Sequence, residues 1–294
     1  MKDEQRTISG QTKAILAEAK LGLKKSLGQN FLTDRHIIER IVSAIPLTEQ
    51  SGVIEIGPGI GALTERLVKQ AGSVVGIELD RRLLPVLHQL FATNENISFI
   101  HGDALKVDYH QLIHDYLSEC KDVHVIANLP YYITSPLIIH LLEGGYPFQN
   151  IVIMIQKEVA ERLMAQPHTK AYGSLTLFAQ YYATVERVTH VSRNVFVPRP
   201  QVDSMVVKLT LRNVPPVQTS DQTLLFQIIR AAFQQRRKTL QNALHAQFQS
   251  QATKDQLHSW LQTSGIDGKR RGETLTLAEF AHIAKVFAEE LREN

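Results

Sequence analysis

Through its first two thirds the chain alternates apolar runs of strand length with amphipathic stretches of helical period, and this alternation restricts the fold more than any other feature. Val53–Ile56 reads as a first strand and Ala62–Gln70 as the helix behind it. Ser73–Leu79 is a second strand, followed by a helix over Arg82–Phe91. Ile97–Ile100, Val123–Asn128 and Ile151–Ile155 continue the strands, with helices over Pro136–Leu142 and Glu158–Met164. Such alternation predicts an α/β fold with a largely parallel, doubly wound sheet and helices on both faces. Two further β-rich runs, Ala183–Val191 and Ser204–Leu211, lack a long helical pattern between them. They suit an antiparallel hairpin at the sheet's edge, joined through Val197-Pro198-Arg199-Pro200, which is too proline-rich for regular structure.

After Arg212 the character changes. Residues 213–221 carry Pro215-Pro216 and polar residues, a linker composition. Beyond them the pattern is helical over Leu224–Phe233, Thr239–Phe248, Thr253–Leu261 and Leu277–Leu291. The expected organisation is therefore a domain over 1–212, with an N-terminal arm over 1–30, and a small all-helical domain over 213–294. The net charge of +3 is unevenly placed. Residues 1–30 hold six Lys/Arg against three Asp/Glu, and residues 213–294 hold ten against eight, whereas the middle is slightly acidic. Basic ends around a near-neutral centre are compatible with a nucleic-acid partner, although differences this small are common. The single cysteine, Cys120, cannot form an internal disulfide, and no signal-like or membrane-length apolar segment is seen; a cytoplasmic protein with no membrane partner is expected. The 12 histidines form no cluster with metal-site spacing, so no metal is assigned.

Glu55-Ile56-Gly57-Pro58-Gly59-Ile60-Gly61 directly follows the first strand and precedes a helix. Glycines there let the backbone turn sharply and approach a ligand. Gly57, Gly59 and Ala62 also satisfy the dinucleotide fingerprint, so a dehydrogenase using NAD must be weighed. Two features discriminate. Pro58 removes a backbone donor, which suits a cofactor without a pyrophosphate. Gly102-Asp103-Ala104 then places a carboxylate after the third strand, where it could accept from adenine's amine, while Glu78 at the end of the second could bind ribose hydroxyls. This set suits S-adenosylmethionine better than NAD. Asp80 is expected to cap the next helix.

Asn128-Leu129-Pro130-Tyr131 sits where the fourth strand reaches its C-terminal end, the place where open α/β sheets hold their chemistry. An Asn amide, free carbonyls and an aromatic face suit a flat base with an exocyclic amine. A proline turn with a packed tyrosine is the blander alternative. Tyr132 is expected to pack, and Phe196, on its own residues, reads as a core phenylalanine at the hairpin bend.

Five segments together resemble the ribosomal RNA adenine N6-dimethyltransferases of the small-subunit type: Gly28-Gln29-Asn30-Phe31-Leu32, Glu55–Gly61, Gly102-Asp103-Ala104-Leu105, Asn128–Tyr131 and Phe196–Ser204. A sixth, Phe233–Leu240, resembles the small-subunit branch in particular. The resemblance implies a Rossmann-like class I methyltransferase sheet and S-adenosyl-L-methionine as cofactor. It places Asn30 and Leu32 beside the cofactor's methionine end, Gly57 against it, Glu78 on the ribose, Asp103 and Ala104 on the adenine, and Asn128 between cofactor and target base. Leu129 would offer a carbonyl to the target amine, with Tyr131 and Phe196 stacking on the base's two faces. The implied substrate is 16S rRNA in a partly assembled small subunit, dimethylated at two adjacent adenosines of the 3′-terminal hairpin loop during ribosome biogenesis. A monomer is expected, although the sequence does not fix the oligomeric state.

Lys24, Lys25, Arg236, Arg237 and Lys238 are the candidate phosphate contacts. The last three read as opening a helix, where their charge would oppose the helix dipole and a structural reason is less attractive. Lys269-Arg270-Arg271 is a second cluster, as readily a solvated loop. A large-subunit (23S) adenine methyltransferase conferring macrolide resistance, and a mainly non-catalytic ribosome assembly factor, are the competing readings.

Overall fold

A computed structural model describes residues 30–293. Contacts divide them into two units, one of residues up to 160 with 184–211, the other of 161–183 with 212 onward.

The first unit opens with a two-residue strand, β1 (Phe31–Leu32), and a helix, α1 (Arg35–Val42). Asp34 starts that helix by accepting the Ile37 N–H at 3.1 Å, and Ile38, Ile41 and Val42 form its buried face. The sequence reading had no helix here. The sheet is then built from β2 (Ser51–Ile56), α2 (Thr64–Leu67), β3 (Ser73–Glu78), α3 (Leu84–Leu90), β4 (Ile97–His101), α4 (Tyr109–Leu117), β5 (Asp122–Asn128), α5 (Thr134–Glu143), β6 (Phe148–Gln156) and α6 (Lys157–Leu163). It is completed by β7 (Ala183–Val191) and β9 (Ser204–Leu211), while β8 (Phe196–Val197) pairs with β1 in a separate two-stranded ribbon.

The seven strands lie in the order β4-β3-β2-β5-β6-β9-β7. The five strands from β4 to β6 are mutually parallel, and β9 runs antiparallel to β6. The order reverses between β2 and β5, and open parallel sheets bind ligands outside the strand ends at such a reversal. β2 is buried along its whole length and β5 along all but its ends, which explains why both read as continuous apolar runs and not as alternating ones. Ile41, Val53, Leu67, Val74, Ile126, Val152 and Val206 share one core cluster.

Two helices are shorter than their sequence pattern. Over 62–70 only Thr64–Leu67 is regular α-helix, because bonds of three-residue spacing (Arg66 N–H to Leu63 O, Lys69 N–H to Arg66 O) tighten both ends. The next helix begins at Leu84, since Asp80 organises the preceding turn and caps no helix. Its carboxylate accepts the Arg82 N–H at 3.2 Å and holds the Arg82 guanidinium at 2.6 and 2.9 Å.

The second unit consists of α7 (Ser174–Tyr182), α8 (Gln222–Gln234), α9 (Leu240–Phe248), α10 (Lys254–Thr263) and α11 (Leu277–Glu293) with their connections. Asp221 caps α8 through the Leu224 N–H at 2.8 Å, and Thr253 with Gln256 forms a capping box at α10. Trp260, Phe248 and Phe287 meet edge to face in its core. Residues 161–183, grouped with the sheet on sequence, pack into this unit instead. Tyr172 is buried with its hydroxyl on the Leu275 carbonyl at 2.8 Å, and Phe178, Tyr181 and Tyr182 surround Phe226. No helix of the described residues is long and apolar enough to cross a membrane.

Candidate active site

A cavity of about 310 Å³ opens at the strand reversal, lined by residues from β1, the ends of β2, β3 and β5, and the loops that follow them. Its floor is the glycine loop. Gly57, Gly59 and Gly61 all have positive φ, at 71°, 62° and 84°, conformations that L side chains rarely adopt. The three glycines serve different purposes. A Cβ on Gly61 would meet the Phe91 ring at 2.5 Å, so that position admits helix–strand packing. A Cβ on Gly57 would meet nothing within 4 Å, so that side of the loop is open to a ligand.

Glu78 ends β3 and is 6% exposed. One oxygen accepts the Gly59 N–H at 3.0 Å and the other the Asp80 N–H at 2.8 Å, so the carboxylate ties the glycine loop to the neighbouring strand end. Burial pushes its pKa up, against the pull of these backbone donors. With backbone donors from Gly59, Leu79 and Asp80, the carboxylate still has acceptor capacity to offer a hydroxyl. Asp103, after β4, accepts the Leu105 N–H at 3.1 Å, and the carbonyl of the adjoining Ala104 accepts the buried Tyr109 hydroxyl at 2.9 Å. Beneath the loop, Glu55 is 1% exposed and accepts the Thr64 hydroxyl at 2.5 Å. Burial raises its pKa to about 8; the Thr64 hydroxyl works against that and the nearby Glu78 adds to it.

At the end of β5 the Asn128 side-chain N–H₂ donates to the Asn30 carbonyl at 3.0 Å, and Leu129 N–H donates to Met154 O at 3.2 Å. Tyr131 is held by its hydroxyl, 3.0 Å from Ser204 Oγ on β9. Burial pushes the Tyr131 phenol up, with the Ser204 contact opposing. Asn30 and Leu32 reach the cavity because β1 is clamped from the far side of the chain. Leu32 pairs with Phe196 and Phe31 with Val197, and the Thr33 N–H and hydroxyl both donate to Val195 O at 2.9 Å.

The structure thus brings Asn30, Leu32, Gly57, Glu78, Asp103, Ala104, Asn128, Leu129 and Tyr131 to one cavity. Phe196 is not there. It is 4% exposed, sits in the core cluster with Leu32 and Val206, does not line the cavity, and pairs with Leu32 on β1. Tyr132, expected to pack, is 54% exposed and lines the cavity. Sequence reasoning also passed over Phe31, whose ring lies 3.0 Å from where a Gly59 Cβ would stand and clusters with Ile60 and Leu83. Its place between two residues already singled out was the available signal.

Of the candidate phosphate contacts, Lys24 and Lys25 lie outside the described residues. Arg236, Arg237 and Lys238 occupy the turn between α8 and α9, ahead of the Thr239 cap, and do not open a helix. Arg236 is engaged within its own unit, donating to Lys170 O and Tyr172 O at 2.9 Å each, with Glu273 at 3.6 Å. Arg237 and Lys238 are exposed. In the second cluster Arg270 is structural too, held by Glu279 at 2.5 Å and by Thr274.

A seven-stranded sheet with a glycine loop, two acidic strand ends and an Asn-Leu-Pro-Tyr turn around one cavity defines a class I methyltransferase. The sequence profile of the family described as ribosomal RNA adenine dimethylase matches residues 21–289, and the chain belongs to that family. It is 48% identical over 282 residues to a ribosomal RNA small subunit methyltransferase A of Bacillus pumilus, covering 96% of this chain and 97% of that protein. A relative of the same name from Geobacillus thermodenitrificans is 50% identical over 276 residues, covering 94% of each. Among solved structures, a dimethyladenosine transferase from Plasmodium falciparum superposes with a TM-score of 0.73 at 26% identity, over 88% of this chain and 98% of that one. The 23S rRNA methyltransferase ErmE shares the fold, with a TM-score of 0.65 at 24% identity over 88% of this chain and 99% of that one.

Proposed function

We propose that the chain transfers methyl groups from S-adenosylmethionine to N6 of adenosines in small-subunit ribosomal RNA, giving N6,N6-dimethyladenosine. Family membership and near full-length similarity to small-subunit methyltransferases support this over the large-subunit alternative. The observation that carries the chemistry is the Asn128 amide at the cavity, with its nitrogen committed to Asn30 O and its oxygen left to accept.

The cavity residues fit the cofactor: Gly57 leaves open space beside a backbone no side chain could line, and Glu78 and Asp103 offer acceptors at adjacent strand ends. Glu78 would hold the ribose, Asp103 and Ala104 the adenine, and Asn30, Leu32 and Gly57 the methionine end. Bound there, the cofactor supplies an electrophilic methyl group. An adenine amine is a poor nucleophile because its lone pair is delocalised into the ring. The Asn128 Oδ1 and the Leu129 carbonyl would accept its two hydrogens and favour localisation of the lone pair on nitrogen. Tyr131, fixed by Ser204, would support one face of the base. Positioning supplies the rate, and no strong general base is needed because the amine becomes acidic only as the new bond forms. The target pair in the 3′-terminal hairpin loop, the partly assembled subunit as substrate and the monomeric state belong to the same reading.

The test is transfer of labelled methyl from S-adenosylmethionine to purified, undermethylated small subunits, followed by nucleoside analysis. N6,N6-dimethyladenosine in the 3′ hairpin is the expected product. Label confined to large-subunit RNA would move the chain to the resistance branch, and binding without transfer would leave an assembly factor.

A further inference from the structure

Three aromatic side chains line the cavity, and they differ in what else they do. Phe31 is buried, its ring against Gly59 and clustered with Ile60 and Leu83. Tyr131 is anchored by Ser204. Tyr132 is 54% exposed, and no ring stacking or hydrogen bond holds its side chain among the described residues. An exposed tyrosine so placed is a large flat apolar surface at the mouth of a site.

The backbone decides which base it could serve. Tyr131–Ile133 is one turn of 3-10 helix, and with three residues per turn consecutive side chains diverge by roughly 120°. Two rings so splayed do not clamp the two faces of one base. They suit two bases of a strand whose stacking has been opened, which is the state an extruded target and its neighbour must adopt. Base–aromatic stacking tolerates any sequence, so it can hold the neighbour without reading it.

We propose that Tyr132 is a substrate-positioning residue that stacks on the unpaired nucleobase next to the target adenosine. The proposal rests on the RNA-adenine reading given above. With Phe196 sealed in the core, Tyr132 is the exposed ring that complements Tyr131 at this cavity. Holding the neighbour would fix the ribose–phosphate segment between the two bases and so limit where the target amine can lie relative to Asn128.

The experiment compares wild type, Tyr132→Phe and Tyr132→Ala in steady-state methyl transfer to undermethylated small subunits, alongside S-adenosylmethionine titrations and thermal melts. Tyr132→Ala should raise KM for subunits about tenfold or more, the scale of one lost base–aromatic stack. Its cofactor affinity and melting temperature should stay at wild-type values, and Tyr132→Phe should behave as wild type. An active wild type matched in KM by Tyr132→Ala would overturn the proposal alone, as would a loss shared by cofactor affinity and melting temperature. A wild type that transfers no methyl to subunits would overturn the RNA-adenine reading and the proposal with it.

Discussion

The side-chain nitrogen of Asn128 donates to the backbone carbonyl of Asn30 at 3.0 Å, joining the end of β5 to the residue just before β1 across 98 positions of sequence. This bond fixes which end of the amide faces the cavity. With nitrogen directed to Asn30, Oδ1 is the atom free to accept from an amine, and the acceptor is in place before substrate arrives. An aspartate in its place has no N–H to give and would set a carboxylate oxygen against the Asn30 carbonyl. Asn128→Ala and Asn128→Asp should therefore both lower kcat by about 100-fold or more, as expected for a misplaced reacting group. Affinity for small subunits should be largely spared. Methyl transfer together with RNA binding checks this, and full activity in Asn128→Ala would remove the mechanism.

Glu55 gives the glycine loop a pH dependence. Its pKa stands at about 8, chiefly through burial, against an ordinary value of 4.5. The folded state therefore holds a proton that the unfolded state releases, and the associated stability is complete below the unfolded pKa and lost as pH rises through about 8. Glu78, also raised by burial, acts in the same sense. Glu55→Gln keeps an acceptor for the Thr64 hydroxyl and carries no proton to lose. The stability of Glu55→Gln relative to wild type should rise by up to about 1.4 kcal/mol per pH unit between roughly pH 5 and 8, then level off. Denaturant melts of both proteins across that range would show it; a pH-independent difference would mean Glu55 is ionised in the folded protein.

The part of the cavity proposed to hold adenine depends on a bond behind it. Tyr109 is fully buried and its hydroxyl donates to Ala104 O at 2.9 Å. Tyr109→Phe keeps the ring contacts with Tyr146 and Phe148 and leaves that carbonyl without its partner. The expected cost is about 1–3 kcal/mol of stability, with weaker cofactor binding because Asp103 and Ala104 share the loosened loop. Calorimetric titration with S-adenosylmethionine distinguishes this from a purely structural loss, in which affinity would be unchanged once the protein is folded.

The sheet was legible in the sequence because its buried strands are continuous apolar runs, and β7 and β9 stand over the very residues their pattern marks. The ribbon of β1 with β8 was not, since two-residue strands carry no period and their pairing spans the whole first unit. A cavity at strand ends follows from sheet topology, and so Gly57, Glu78 and Asp103 could be placed beside it from their strands alone. Phe196 and Arg236 show the opposite case. Residue type and motif name a chemistry for each, but whether a ring is exposed or a guanidinium is already committed depends on partners far away in sequence, Leu32 for the first and Lys170, Tyr172 and Glu273 for the second.

That difference separates the three basic residues of the α8–α9 turn. Arg236 donates to two carbonyls of the 170–172 segment and lies by Glu273, so Arg236→Ala should destabilise the protein by about 1 kcal/mol through the hydrogen bonds lost at these partly solvated carbonyls. Arg237 and Lys238 are exposed, and their removal should leave the melting temperature within a degree or two of wild type. If they meet RNA phosphates, each charge removed should weaken subunit binding and reduce the slope of log affinity against log salt by about one. Binding of wild type, Arg237→Ala, Lys238→Ala and the double variant to small subunits, each at several salt concentrations, measures that slope directly. A weaker affinity with an unchanged slope would point to an indirect effect on the turn, whereas an unchanged affinity in the double variant would take this turn out of the RNA interface.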